Sequence, residues 1–487
     1  MFICLPDLVE RSINNDAQNL SLRAERSNPD FIVASEIASA VRLPRNDSKR
    51  GILFMDHYTS YILYLLPLFC LLLTPNNINA QPNKTKILLI GIDAADWEMV
   101  RPMAANGELP NLAGLIKSGT SAKIHSYNGI SPAYWTSVAT GVMPKKHGIW
   151  NFTVKDPGTG EDIPYTSNMR RTKAFWNILS EQKINVGVVG WYITWPVEQV
   201  NGFMVSSYYA RQGLETSKGQ QPSTRGTFYP TAPQMVYPEN LNDALGQISL
   251  KAQENCKGKI REIFPPAVLQ NPYYLRITKE DRYRSGIGIR AVKWALMADE
   301  IYKEIGVDLY RKFKPQVFAV YLGGLDTVGH VFTHFRKKIH NEMLGIFGNP
   351  HKNYYKYIDE AIGEIIREAD KDTVIIVLSD HGLMRRFHTN NGIFIISGPN
   401  IKKNFRSSEP VNLTDIFPTM LYLLNMPQAK DLDGAVYQEA FLESYLKGHK
   451  RSYIQSYGPR AISVPDPIRS RFDDEIRQRL KALGYLN

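Results

Sequence analysis

The chain has 487 residues, of which 43% are hydrophobic and 22% charged, and it carries a formal charge of +11. That length can bury a large core and allows two or three domains, and the composition is that of an ordinary globular protein. The positive balance favours an anionic substrate or surface, but the chain has no dominant Lys/Arg block, aromatic-basic repeat or zinc-finger spacing, so a specific nucleic-acid partner is not indicated.

Residues 62–73 (ILYLLPLFCLLL) form an apolar run too short for a comfortable membrane span. Polar residues and then Ala80 follow, so residues 55–80 read as a secretory signal peptide cut after Ala80, with an uncleaved anchor as the alternative. Residues 1–54 show no sustained period and read as upstream sequence translated from an early start codon. Signal removal would place the protein in the periplasm or outside the cell, with no stable membrane span left. Cys4 and Cys70 precede the cut and only Cys256 remains, so no internal disulfide is expected.

The apolar run 87–92 predicts a buried strand that ends on Asp93. Helices are expected over 97–104 and in NLAGLIKSG, then a polar strand-like piece in SAKIHSY, then a helix in PAYWTSVATG that stops on Gly141 as its C-cap. Ser131 and Pro132 open that helix, since serine is a preferred N-cap and proline a preferred first helical residue. The same geometry sets the hydroxyl at the positive end of the helix dipole, beside free backbone amides where phosphate binds.

A helix over 172–182 and strands over 185–190 and 202–206 come next. Residues 207–285 lose the alternation of strand and helix yet keep aromatic and apolar residues, and they read as an inserted cap. With part of the long amphipathic helix 287–313 that returns the chain, the insertion spans 207–309. Strands are expected at 317–322, ahead of Gly323, Gly324 and Asp326, and at 373–378, which runs into Ser379-Asp380-His381-Gly382. A helix over 354–369 delivers the second of these, and a strand over 393–397, a helix over 413–424 and an amphipathic segment over 473–483 follow. The pattern predicts a doubly wound, mostly parallel α/β domain over 84–206 and 310–450 with helices on both faces, the inserted cap, and a C-terminal tail over 451–487.

Asp93, Asp326 and Asp380 each follow a predicted strand, so one parallel sheet would bring them to a single rim, the edge where open α/β sheets bind ligands. His330, His381 and His388 stand close to two of them in sequence. A serine hydroxyl at neutral pH is a weak nucleophile, and coordination to metal is one way to activate it.

Asp93, the SPAYWTSVATGVMPKKHGI stretch, GLDTVGH, SDHG and His388 ahead of GIFIISGP together resemble the alkaline phosphatase superfamily, and within it the type I phosphodiesterase/nucleotide pyrophosphatase group. NLTDIFPTMLYLLNMP and DLDGAV resemble that group's closing segment, so the likeness runs over about 86–440 outside the cap. The resemblance implies one metal ion on Asp326, His330 and His388, a second on Asp93, Asp380 and His381, and Ser131 as the bridging nucleophile. Zinc suits such three-donor sites, and manganese or iron is compatible with the same ligands. The implied reaction is hydrolysis of a phosphodiester or pyrophosphate bond in a small anionic substrate, by two displacements through a Ser131 phosphoenzyme. A phosphomonoesterase of the same superfamily and a non-catalytic binding protein that retains the fold are the alternatives. His147 and Thr136 read as structural, His125 and His351 as facing solvent or filling ordinary packing positions, and His334 as structural with substrate contact as the other reading. The oxyanion-binding Asn of the group aligns on Phe152, one residue after Asn151.

Overall fold

The computed structural model describes residues 85–210, 233–271, 286–333, 344–384, 387–461, 467–470, 473–483 and 486. The expected extension 1–54, the expected signal segment 55–80 and His334 lie outside the described residues.

In chain order the elements begin with β1 (Lys86–Ile92), α1 (Trp97–Ala105), α2 (Pro110–Ser118), β2 (Gly119–His125), α3 (Ser131–Thr140) and the single turn α4 (Pro144–His147). A hairpin of β3 (Thr153–Lys155) and β4 (Asp162–Pro164) leads to α5 (Phe175–Glu181), β5 (Val186–Val189), β6 (Gly202–Val205) and β7 (Val236–Tyr237). Then come α6 (Asn242–Ile263), α7 (Pro266–Gln270), α8 (Gly286–Phe313), β8 (Val317–Leu322), α9 (Gly324–Phe332), α10 (Pro350–Ile366) and β9 (Thr373–Leu378). A second hairpin, β10 (Gly382–Met384) and β11 (Phe387–Thr389), precedes β12 (Ile393–Ser397), β13 (Phe405–Arg406), β14 (Val411–Asn412), α11 (Ile416–Leu423), α12 (Glu443–Gly448) and α13 (Asp473–Leu483).

The main sheet has the order β13-β2-β12-β9-β1-β8-β5-β6-β7, with β14 also paired to β2. Strands β9, β1, β8, β5 and β6 run parallel, while β12 and β7 are antiparallel to their neighbours. Register decides where the strand ends fall. Ile92 pairs with Leu322 and Gly91 with Leu378, so β1, β8 and β9 finish side by side and release their following loops on one rim.

Alternation along each strand splits the core in two, because successive side chains leave opposite faces. Leu88, Ile90, Ile92, Phe318, Val320 and Leu322 share one apolar cluster with α1, α2, α6, α8 and α10. Ile87, Leu89, Val317, Ala319 and Tyr321 share the other with α3, α5 and α11. Helices therefore cover both faces of a mostly parallel sheet, the expected α/β architecture.

Part of the insertion differs from its sequence reading. Residues 242–263 form a 22-residue helix whose buried stripe is Leu245, Ser249, Ala252, Cys256, Ile260 and Ile263. Such a narrow stripe, built partly from Ser, Ala and Cys, gives little hydrophobic contrast, which is why the helix escaped the pattern reading. Its apolar residues belong to the same cluster as Ile301 and Ile305 of α8, so the described helices of 207–309 form part of a layer on the sheet. The amphipathic tail segment is the helix α13, which buries Ile476 and Leu480 in that cluster. No described helix is long and apolar enough to cross a membrane.

Candidate active site

Asp93 is the first residue beyond β1, and its amide is held at 3.0 Å by the carbonyl of Leu322 at the end of β8. Asp380 follows β9 by two residues. Its backbone carbonyl accepts a hydrogen bond from Ser126, while Ser379 ties the turn to the carbonyl of Ala95 at 2.8 Å. Asp326 is not at a strand end: it lies in the first turn of α9 and His330 in its last, four residues apart on one face. Asp299 of α8 holds the start of that helix, accepting from the amides of Gly323 and Gly324 at 3.0–3.1 Å and from the Tyr354 hydroxyl at 2.8 Å. His388 comes from β11, opposite Leu383 in the small hairpin.

Ser131 does not take the cap position expected for it. It is the first residue of α3, with Ile130 at the cap position, and its hydroxyl makes no cap bond. The Oγ instead points to Asp93 Oδ1 at 3.4 Å and His381 Nε2 at 3.3 Å. The free amides expected beside it are also fewer. Pro132 has none, and the amides of Ala133 and Tyr134 both donate to the Ile130 carbonyl. The helix end therefore contributes its dipole more than a cradle of donors.

Two groups of side chains converge at the rim. In one, His381 Nε2 lies 3.2 Å from Asp93 Oδ1 and 3.5 Å from Asp380 Oδ2. In the other, His330 Nε2 lies 3.2 Å from both Asp326 Oδ1 and His388 Nε2, and His388 Nε2 is 3.9 Å from Asp326 Oδ1. The stacked rings of His381 and His388, with centroids 3.9 Å apart, join the groups. His381 is within reach of either, since Asp326, His381 and His388 also bring ligand atoms within 4.8 Å of one another, as do Asp93, Asp380 and His381.

The electrostatics are those of buried, mutually perturbed carboxyls and imidazoles. Burial, and then the neighbouring Asp93, push the Asp380 carboxyl well above the usual range. Burial opposes ionisation of Asp326 too, yet the adjacent His330 outweighs it and holds the carboxyl at about 2. Burial alone would lower His381, but Asp380 and Asp93 raise it to about 10. His388 is lowered to about 4 by burial and by the charge of His381. Both Asp380 carboxyl oxygens are fully buried without a hydrogen-bond partner among the described residues, a costly arrangement unless something positive faces them. The His381 Nδ1 is 3.1 Å from the Gly382 carbonyl, an acceptor that leaves Nε2 free to coordinate. Carboxylates and imidazoles so arranged fit a divalent cation.

The remaining candidates separate cleanly. Thr136 bonds back to the Pro132 carbonyl at 2.7 Å. His147 is buried, contacts Ser137 Oγ at 3.0 Å, and is lowered to about 3, first by burial and then by Arg170. Asn151 is exposed and accepts from the next amide, and His125 is exposed as well. His351 is buried edge-on to Tyr355, behind Asp326. Two residues went unnoticed in the sequence. Tyr321 donates to Asp93 Oδ2, and Asp96 underlies the His388 hairpin. Tyr321 carried one faint signal, a polar-tipped aromatic one residue before the end of an apolar strand.

The sequence pattern of the type I phosphodiesterase / nucleotide pyrophosphatase family matches residues 87–425. The chain is 22% identical over 402 residues to the human ectonucleotide pyrophosphatase/phosphodiesterase family member 5, covering 76% of this chain and 80% of that protein. A shorter stretch of 73 residues is 37% identical to arylsulfatase K of Danio rerio, covering 13% of this chain and 14% of that protein. The solved structure of human ectonucleotide pyrophosphatase / phosphodiesterase 5 superposes with a TM-score of 0.42 at 13% identity, over 72% of this chain and 97% of that one. Because the family match runs from β1 past α11, through every element that carries the converging carboxylates and imidazoles, the chain belongs to the type I phosphodiesterase/nucleotide pyrophosphatase family of the alkaline phosphatase superfamily.

Proposed function

We propose that the protein is a secreted hydrolase of phosphodiester or pyrophosphate bonds that holds two divalent metal ions and works through a covalent phosphoryl group on Ser131. The observation that carries this reading is the Ser131 hydroxyl, released from helix capping and aimed between Asp93 and His381 at 3.3–3.4 Å. Asp93, Asp380 and His381 would hold one ion, and Asp326, His330 and His388 the other. When bound, the ions, zinc by donor chemistry with manganese or iron also compatible, supply Lewis-acid charge that lowers the hydroxyl pKa and offsets the charge of the phosphate.

The chain's own residues then have defined tasks. Ser131 Oγ forms the new bond to phosphorus as the leaving oxygen departs, and a second displacement by water breaks the Oγ–P bond and restores the serine. Ser131 Oγ lies 3.4 Å from Asp93 Oδ1, to which it donates, and Tyr321 donates to the other oxygen of that carboxyl. The dipole of the ten-residue helix α3 favours negative charge at its first residue. A formal charge of +11 favours a small anionic substrate, and the segment 55–80 supports export to the periplasm or beyond.

The test is hydrolysis of bis-p-nitrophenyl phosphate against p-nitrophenyl phosphate by purified protein with added zinc, for wild type and Ser131→Ala. Diester cleavage that the substitution abolishes is the expected result. Turnover that survives Ser131→Ala unchanged would remove the serine from the reaction.

A further inference from the structure

Asp96 is almost wholly buried, three residues beyond Asp93, and at first sight it is only the N-cap of α1, accepting from the amide of Glu98 at 2.8 Å. One oxygen suffices for that. The carboxyl also accepts from Thr389 Oγ1 at 2.9 Å and from the side-chain amide of Asn391. Backbone contacts follow the same line: the amide of Trp97 donates to the carbonyl of Asn391 at 3.1 Å, and Asp96 bridges Gly392. From the other side, the amide of Asp96 donates to the Tyr355 hydroxyl at 2.9 Å, fixing the residue against α10.

Thr389 directly follows His388 and pairs with Gly382, which directly follows His381. Asp96 therefore lies under both histidine-bearing segments at once. Gly382 makes that approach possible, because a Cβ there would sit 2.1 Å from Asp96 Oδ2 and 2.5 Å from Thr389 Oγ1. The hairpin β10–β11 is a separate two-stranded sheet, an arrangement with marginal stability of its own, so its position has to be imposed by anchors.

We infer that Asp96 is a positioning residue for the site: it locks the β10–β11 hairpin so that His388 faces His330 and Asp326 while His381 faces Asp93 and Asp380. The inference rests on the reading of these histidines as metal ligands.

Substitution can separate capping from positioning. Serine caps a helix about as well as aspartate, but it is neutral and one bond too short to reach Thr389. Thr389→Val removes the donor at nearly constant shape. For Asp96→Ser and Thr389→Val, zinc affinity is read by competition with a chromogenic chelator, kcat and KM on bis-p-nitrophenyl phosphate, and folding by thermal unfolding. Each single change is expected to weaken zinc binding about 10–100-fold, the usual effect of losing a partner behind a ligand. The drop in turnover should fall on kcat with KM little altered. The double variant should be no worse than the poorer single one, because both remove the same hydrogen bond. Wild-type zinc affinity and kcat in Thr389→Val, or full additivity in the double variant, would overturn the inference. His388→Ala distinguishes the two levels. If it loses zinc while Thr389→Val does not, only the positioning role fails; if it keeps wild-type zinc affinity, the ligand reading fails and the inference with it.

Discussion

Tyr321 donates its phenolic hydrogen to Asp93 Oδ2 across the adjacent ends of β8 and β1, while the other oxygen of that carboxyl faces His381 at 3.2 Å and Ser131 at 3.4 Å. Burial, reinforced by the Asp93 charge, raises the phenol well above its ordinary pKa, so it remains a donor throughout the working range of the protein. The ring packs edge-on to Trp135 and Tyr192 at 5.0 and 5.1 Å, and Tyr321→Phe leaves that packing in place. The substitution should lower kcat about 10–100-fold by releasing the carboxyl from its fixed rotamer. Steady-state kinetics beside a zinc titration checks it, and unchanged values in both would show that Asp93 needs no such support.

Gly91 permits the approach of α3 to the sheet. A Cβ at that position would lie 2.6 Å from the ring of Trp135, which is four residues after Ser131 on the same helix. Gly91→Ala should cost about 1–3 kcal/mol of stability through overpacking. It should also lower kcat, because the displaced helix carries Ser131, the proposed nucleophile. Gly187→Ala is the control: its Cβ would meet Phe203 at 2.3 Å, on β5 beside Phe318 and back from the rim where β1, β8 and β9 end, so stability should fall with kcat retained. Equal kcat in the two variants would break the link between Gly91 and Ser131.

Removal of metal should lower both activity and the unfolding temperature. An ion that binds only the folded state stabilises it by about 2.7 kcal/mol when its free concentration is a hundred times Kd. Dialysis against a strong chelator followed by calorimetry, with zinc restored in a second sample, measures this directly. A chelated protein that melts and turns over as before would rule out the six-residue ligand set.

Glu198 predicts an acid-sensitive clip on the C-terminal segment. Its carboxylate meets Arg170 at 2.8 Å and Arg460 at 2.7 Å, and accepts from the Trp176 indole at 2.8 Å. Burial alone would raise its pKa, but Arg170 and then Arg460 outweigh that and hold it at about 2, below the ordinary 4.5. A depressed folded pKa means that the contribution is complete above about 4.5 and is lost as the pH falls towards 2. Glu198→Gln should cost about 3–5 kcal/mol at neutral pH, since it leaves two buried guanidinium groups without their partner. Urea unfolding of both proteins between pH 7 and 2 tests the sign, because the difference between them should shrink across the acid range.

Some of this architecture could be read directly from the chain. β1 from Ile87, β8 and β9 after Thr373 are largely apolar runs, the mark of strands buried on both faces, and Asp93 beyond Ile92 and Ser379-Asp380 beyond Leu378 stand out against them, while Asp326 comes only after two glycines and Leu325. Other features had no comparable contrast. Helix α6 hides its buried stripe among Ser, Ala and Cys, and Ser131-Pro132 reads as a cap pair in any chain, although here Ile130 takes the cap position.

Periodicity and turn chemistry, which are properties of neighbouring residues, were enough for the α/β class and for many of its strands and helices, and the resemblance of short motifs to a known family pointed to Asp93, Ser131, Asp326, His330, Asp380, His381 and His388 as candidates. Only the fold in three dimensions brings the Ser131 hydroxyl to Asp93 and His381, puts His381 within reach of both carboxylate–imidazole groups, and sets Tyr321 against Asp93 and Asp96 against the His388 hairpin. Those relations join residues as far as 293 positions apart. They depend on strand register and on the close approach that Gly91 and Gly382 allow, which no local pattern in the chain can express.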